Sequence, residues 1–204
     1  GHTIVNEFSS YPAQREDISY GFDAQSLQEG YFTESTPGAG NAAGFTGFVA
    51  DTTFSVDRGF FDSPIEVEIT SDTPDAIIRY TTDGSEPTSQ TGLVYSQPVS
   101  ISRTTVLRAA AFRSGLVPTN VDTQTYIFPA DVVALPTMNP NITQNPVYGP
   151  RMHEALRAVP SISLVFPGDV DRREKQASVE LINFEFGSTQ LEAGMERFGN
   201  YVTN

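Results

Sequence analysis

The sequence predicts a mainly β protein: an immunoglobulin-like β-sandwich with an N-terminal β extension and a small α+β C-terminal segment. Three observations carry this. Short runs rich in β-branched and aromatic residues, at 65–69, 77–81, 99–101 and 105–112, alternate with clusters of Gly, Pro, Asp and Ser. Fourteen Pro and sixteen Gly among 204 residues supply turns and leave few helix-forming stretches. Between residues 51 and 128 six or seven such runs recur at turn spacings of roughly 8–12 residues, the rhythm of a sandwich.

The chain divides by pattern into three parts. Residues 1–50 hold a strand at 3–8, short apolar runs near 11–14 and 17–22, and a Gly/Ala/Thr-rich loop from Thr36 to Gly47. A piece this small cannot bury a core alone, so it is expected to pack on the adjoining sandwich or to need partners elsewhere. Residues 51–130 form the sandwich unit. In 65–69 the alternation Ile65-Glu66-Val67-Glu68-Ile69 buries one face and leaves Glu66 and Glu68 in solvent. In 77–81 Ile78 and Tyr80 share one face, and Ile77, Arg79 and Thr81 the other. Asp83-Gly84 is a strong turn signal, and Pro87 interrupts regular pairing. In 105–112 Leu107, Ala109 and Ala111 point inward, and Arg108 and Phe112 outward.

Residues 131–204 open with a Pro-rich link that starts at the boundary with Pro129 and carries Pro136, Pro140, Pro146 and Pro150, expected to be extended and irregular. A helix fits residues 149–158, with Met152, Ala155, Leu156 and Val159 on one buried face. Strands come next at 161–166 and 177–186. These are the expected first elements of a larger α+β domain, packed on the sandwich or on an absent partner.

Composition excludes several function classes. The formal charge of −13 is spread along the chain, with acids in excess in all three parts, so phosphate-rich nucleic acid and anionic lipid are repelled. No Cys is present, which removes thiol and disulfide chemistry. No apolar run approaches the ~20 residues of a membrane helix, so no membrane insertion is expected.

Two sets of site candidates remain. Asp83 and Glu86 share the turn and present oxygens of the kind Ca²⁺ takes, though two carboxylates fall short of its roughly six to eight ligands. Their plain reading is turn formation. Tyr95, Phe112 and Tyr126, with Phe60 and Phe61 beside them, are the candidate ring platform for a glycan, in a chain without Trp. No catalytic set assembles. His2 and His153 stand apart from any Ser/Asp partner in spacing, Lys175 sits in a charged stretch, and Gly194 and Gly199 make a poor phosphate loop.

The run Tyr80-Thr81-Thr82-Asp83-Gly84-Ser85-Glu86-Pro87-Thr88, followed by Val94-Tyr95, Thr105-Val106-Leu107-Arg108-Ala109-Ala110-Ala111-Phe112 and Gly115-Leu116, resembles the chitobiase/hexosaminidase C-terminal-type domain, also called the fibronectin-type-III-associated repeat. The resemblance implies an immunoglobulin-like sandwich over about residues 53–128. Tyr11-Pro12-Ala13-Gln14 and Thr36-Pro37-Gly38-Ala39-Gly40-Asn41 resemble the closing part of a bacterial lamin-tail-type domain. Ile162-Ser163-Leu164-Val165 and Ala177-Ser178-Val179-Glu180-Leu181-Ile182-Asn183 resemble the start of a spore-coat-protein-H-like kinase domain, whose catalytic residues would lie beyond Asn204. This tandem resembles large secreted proteins of planctomycete-type bacteria. It implies a secreted or cell-surface bacterial location, neighbouring domains or other copies of the chain as partners, and a structural, spacer or adhesion role. Alternatives are a carbohydrate-binding accessory module and a fragment of an atypical secreted kinase. No cofactor is implied beyond the Ca²⁺ candidate.

Overall fold

A computed structural model describes residues 10–166, 175–184 and 187–195. The expected strand at 3–8, His2 and Gly199 lie outside these residues.

The sandwich is built of two layers. One is a five-stranded sheet ordered β4 (Gly59–Phe60), β11 (Asp122–Ile127), β10 (Thr105–Phe112), β7 (Ile77–Thr81), β8 (Leu93–Val94). The facing layer consists of two short pairs: β3 (Thr52–Phe54) with β6 (Ile69–Ser71), and β5 (Ile65–Val67) with β9 (Val99–Ile101). The alternating run at 65–69 therefore serves both pairs and breaks at Glu68, whose backbone N–H instead donates to Ser55 Oγ at 2.8 Å. Glu66 and Glu68 are exposed as the alternation requires.

Between the layers, Val67, Ile69, Val99, Ile101, Leu107, Ala109, Tyr126 and Phe128 form the core, with Ile78 and Tyr80 packed against it. The inward set of β10 is the expected one: Leu107, Ala109 and Ala111 are fully buried. Phe61 sets its ring against Tyr126 and Phe128, at centroid distances of 5.6 and 6.1 Å.

The N-terminal part is a hairpin, β1 (Ser19–Phe22) with β2 (Glu29–Phe32). Its small core is aromatic: Tyr31 meets Tyr20 at 5.0 Å and Phe48 at 4.4 Å, and the Arg15 guanidinium lies 4.2 Å over the Phe48 ring. The strap at 46–49 is tied to the sandwich. Thr46 N–H donates to Gly115 O, Val117 N–H to Gly47 O, and Val49 N–H to Val117 O, each at 2.9 Å.

The Pro-rich link departs from the irregular path expected of it. Pro129 and Pro140 each sit in a first helical turn, where the missing N–H costs nothing, and start α1 (Pro129–Val133) and α2 (Pro140–Thr143). Asp131 anchors α1 by accepting the Thr104 N–H at 2.6 Å. The expected helix at 149–158 is present as a 3₁₀ turn, Gly149–Arg151, running into α3 (Met152–Arg157). Its apolar face is not buried: no residue of α3 is buried, and Val159 is exposed. The helix holds the sandwich through an ion pair, Arg157 Nη2 to Asp62 Oδ1 at 2.6 Å.

The C-terminal strands β12 (Ser161–Val165), β13 (Lys175–Ile182) and β14 (Thr189–Met195) form an antiparallel sheet in that order. It lies against the outer face of the five-stranded sheet and makes a third layer. That explains the burial of β10, whose residues 107–111 are all buried although only alternate ones face the core. Arg108 points away from the core as expected, but is covered rather than solvated, at 7 % exposure.

Candidate functional site: the seam between sandwich and C-terminal sheet

The seam forms where β11 runs past the end of its neighbour. Strand β4 pairs with β11 only at Tyr126 and Ile127. Upstream, the backbone of residues 121–125 would present bare donors and acceptors at a sheet edge. Side chains from the C-terminal sheet occupy them. Gln190 Oε1 accepts the Thr123 N–H at 2.7 Å, while its Nε2 donates to Val121 O at 3.3 Å. One side-chain amide thus takes the place of a strand's peptide group. Glu180 Oε1 accepts the Thr125 N–H at 2.8 Å, and its Oε2 accepts the Thr125 hydroxyl. Thr125 Oγ1 also lies 2.7 Å from Ser163 Oγ.

Glu180 is completely buried, and its counter-ion is Arg58, with Nη1 3.5 Å from Oε1 and the Arg58 side chain 10 % exposed. Arg58 is positioned by Gln124, which accepts both its backbone N–H (2.8 Å) and its Nε–H (3.2 Å). Toward the sandwich the sheet turns a mixed face, with Ser163, Ser178, Glu180 and Gln190 beside the buried Val165 and Ile182. Its apolar residues Ile162, Leu164 and Leu191 stand exposed. Interior charge is tolerated here because each carboxylate oxygen has a donor and the pair is mutually compensating.

Beside this seam lies the turn after β7. Asp83 Oδ1 accepts both the Ser85 N–H (3.0 Å) and the Ser85 hydroxyl (2.6 Å). The Ser85 side-chain bond, then its backbone bond, holds the Asp83 carboxyl below the usual range. Thr81 donates its hydroxyl to Ser85 O at 2.5 Å. Gly84 takes φ +79°, and a Cβ there would meet Val165 Cγ1 at 3.4 Å. Arg108 lies beneath: its Nη1 donates to Gly84 O (3.3 Å) and its Nε to Thr123 Oγ1 (3.3 Å). Between the turn and the C-terminal sheet is a cleft of about 520 Å³, reached by Asp83, Glu86, Arg108, Leu164, Val165 and Phe166. A smaller one of about 200 Å³ shares Glu86, Arg108 and Val165, and adds Asn120, Gln176 and Glu192.

A second acid pair sits at the far end of β11. Asp122 accepts the hydroxyl of Thr52 and, at 3.1 Å, the side-chain amide of Asn120. Burial pushes its carboxyl up to about 6, opposed by the Thr52 bond and assisted by the Asp51 charge.

The expected site residues are scattered. Tyr126 is corrected outright. Its ring is fully buried in the core and its hydroxyl donates to Val56 O at 2.8 Å, so no face is offered to a ligand; the same burial pushes its hydroxyl pKa upward. Tyr95 is half-buried against the core and edge-on to Tyr80, at 6.4 Å. Phe112 is half-buried at the end of β10, on the opposite face of the sheet from Tyr95. The three rings share no surface. Asp83 and Glu86 stay on one turn, with one Asp83 oxygen committed to Ser85. Among the described residues no group of three or more acidic or His side chains is placed to hold a metal.

Sequence reasoning does not single out Arg58, Arg108, Glu180 and Gln190 as site residues. One signal is present for Glu180: it shares the parity of Ser178 and Ile182 in β13, and all three are buried. A carboxylate on a buried strand face needs a buried partner.

Residues 56–123, about a third of the chain, match the family model of the Chitobiase/beta-hexosaminidase C-terminal domain. The matched stretch includes the Asp83–Glu86 turn, Arg58 and Arg108, and ends at Thr123 on the seam. No curated protein and no solved structure matches the chain. That domain type serves carbohydrate-active enzymes as a non-catalytic accessory, and the similarity is confined to the centre of this chain.

Proposed function

We propose that this chain is a non-enzymatic structural module of a larger extracellular bacterial protein, one that fixes the separation and orientation of its neighbours. The supporting observation is the way both flanks are fastened to the sandwich. The strap at 46–49 continues a backbone ladder with residues 115–117, and the C-terminal sheet caps the β11 edge through Gln190 and Glu180. Hydrogen bonds from backbone to backbone, and a buried charge pair, resist swivelling far better than a free linker does.

Rigidity is directly measurable, because the chain has no Cys to interfere with labelling. Spin labels on Glu34→Cys and Asn139→Cys, both exposed positions on opposite flanks, are expected to give one narrow distance distribution. A broad or multi-peaked distribution would sink the spacer reading. The non-enzymatic part is checked separately, by incubation with ATP and Mg²⁺ and with a panel of aryl glycosides. Turnover of either above a heat-treated control would overturn it.

A further inference from the structure

Arg108 is a buried cation without a matching anion. The residue is 7 % exposed, yet it forms no ion pair among the described residues, and its two side-chain hydrogen bonds, both 3.3 Å, go to neutral acceptors. The contrast with Arg58 is direct, since Arg58 has Glu180 at 3.5 Å. A guanidinium carries five N–H donors in a planar fork, so most of its hydrogen-bonding capacity is left over. Removal of such a charge from water is costly unless an anion compensates it. Arg108 borders both adjoining clefts, so that capacity faces a space able to receive a ligand.

The rest of the lining narrows the ligand. Glu86 and Glu192 add acceptors, and the side-chain amides of Asn120 and Gln176 add both donors and acceptors. A simple anion gains from Arg108 but is repelled by three carboxylates, Asp83, Glu86 and Glu192. A ligand bearing one carboxylate and several hydroxyls satisfies both, with its carboxylate bidentate on the guanidinium and its hydroxyls donating to Glu86 and Glu192. Leu164, Val165 and Phe166 provide an apolar wall of the kind a pyranose C–H face packs on. The larger cleft, about 520 Å³, is of a size suited to one or two sugar rings.

We propose that this cleft binds a uronic acid residue of an acidic saccharide, with Arg108 gripping the carboxylate. The site is separate from the three aromatic positions expected from the sequence, and it goes beyond the spacer role. Even if the module proves flexible, the cleft can still be tested on its own.

The experiment titrates the ¹⁵N-labelled full chain with methyl β-D-glucuronide, methyl β-D-glucoside and acetate, each to 50 mM, and follows backbone and arginine side-chain resonances. Glucuronide is expected to move the Arg108 Nε–H signal together with backbone signals of Glu86 and Val165. Glucoside and acetate should shift them at least tenfold less at equal concentration. Arg108→Lys keeps the charge, loses the fork, and should weaken glucuronide binding at least tenfold. If that variant does not fold, the wild-type Arg108 signal decides alone. No shift with glucuronide overturns the proposal. Equal shifts with glucoside, equal shifts with acetate, or shifts that map elsewhere overturn it too.

Discussion

Glu180 Oε1 accepts the backbone N–H of Thr125 at 2.8 Å, which joins a carboxylate of the C-terminal sheet to the main chain of the sandwich. Glu180→Ala removes this bond, the bond to the Thr125 hydroxyl, and the charge opposite Arg58. An unpaired, nearly buried guanidinium remains. Loss of one partner from a buried pair costs about 3–5 kcal/mol. Urea denaturation should show that loss, with the C-terminal sheet released before the sandwich melts. A loss under ~1 kcal/mol would mean that water reaches Arg58 and the seam is not closed.

Gln190 makes a sharper test because a near-isosteric change is available. Gln190→Glu keeps an acceptor for the Thr123 N–H but replaces the Nε2 donor with a carboxylate oxygen facing Val121 O. Two hydrogen bonds, to Val121 O and to Glu192 Oε1 at 3.0 Å, become repulsions, and a destabilisation of about 1–3 kcal/mol is expected above the Glu pKa. The loss should shrink at pH 4, where a protonated Glu donates again. A pH-independent loss would refute the peptide-like role.

Asp122 governs the acid end of the stability profile. Burial raises its folded-state value to about 6, against an ordinary 3.8. Folding therefore favours the protonated carboxyl. This contribution is fully present below pH ~4 and is lost as pH rises through about 6. Asp122→Asn imitates the protonated form and can still meet Thr52 and Asn120. Relative to wild type, it should gain on the order of 1–2 kcal/mol between pH 4 and pH 7, less than the full linkage value because the carboxyl keeps some solvent contact. Parallel stability curves for the two proteins across that window would disprove the assignment.

Gly84 is required by backbone geometry. At φ +79° an L-side chain is strained, while its Cβ would only make ordinary contact with Val165. Gly84→Ala should cost about 1–2 kcal/mol in chemical denaturation. It should also perturb the Arg108 Nε–H signal, since Arg108 holds Gly84 O. Ala at Gly115, also at positive φ but with nothing near its Cβ, should cost only the backbone share.

The sandwich was legible because its determinants are local. Period-two alternation put Leu107, Ala109 and Ala111 inside, and the positive-φ Gly84 set the turn after β7. The site was not legible, because it depends on pairings between distant residues: Thr125 with Glu180 and Thr123 with Gln190. Nothing in a single strand reveals which sheet edge its side chain will reach. Tyr126 misled for a related reason. An aromatic on a terminal strand is compatible with a surface platform or a core, and the hydroxyl bond to Val56 O that permits full burial spans 70 residues. The helix at 149–158 shows the opposite limit, for its apolar periodicity correctly gave a helix but not what lies over it.

The side-chain cap on β11 also bears on how copies of this protein behave at high concentration. An unpaired strand edge is a template on which a strand of another molecule can be laid down, and proteins commonly blunt such edges with charge or cover. Here the cover comes from the chain's own Gln190 and Glu180, which occupy the amides an intruding strand would need. Detachment of the C-terminal sheet would thus unmask a sticky backbone edge, and colloidal stability depends on the same few bonds that align the layers.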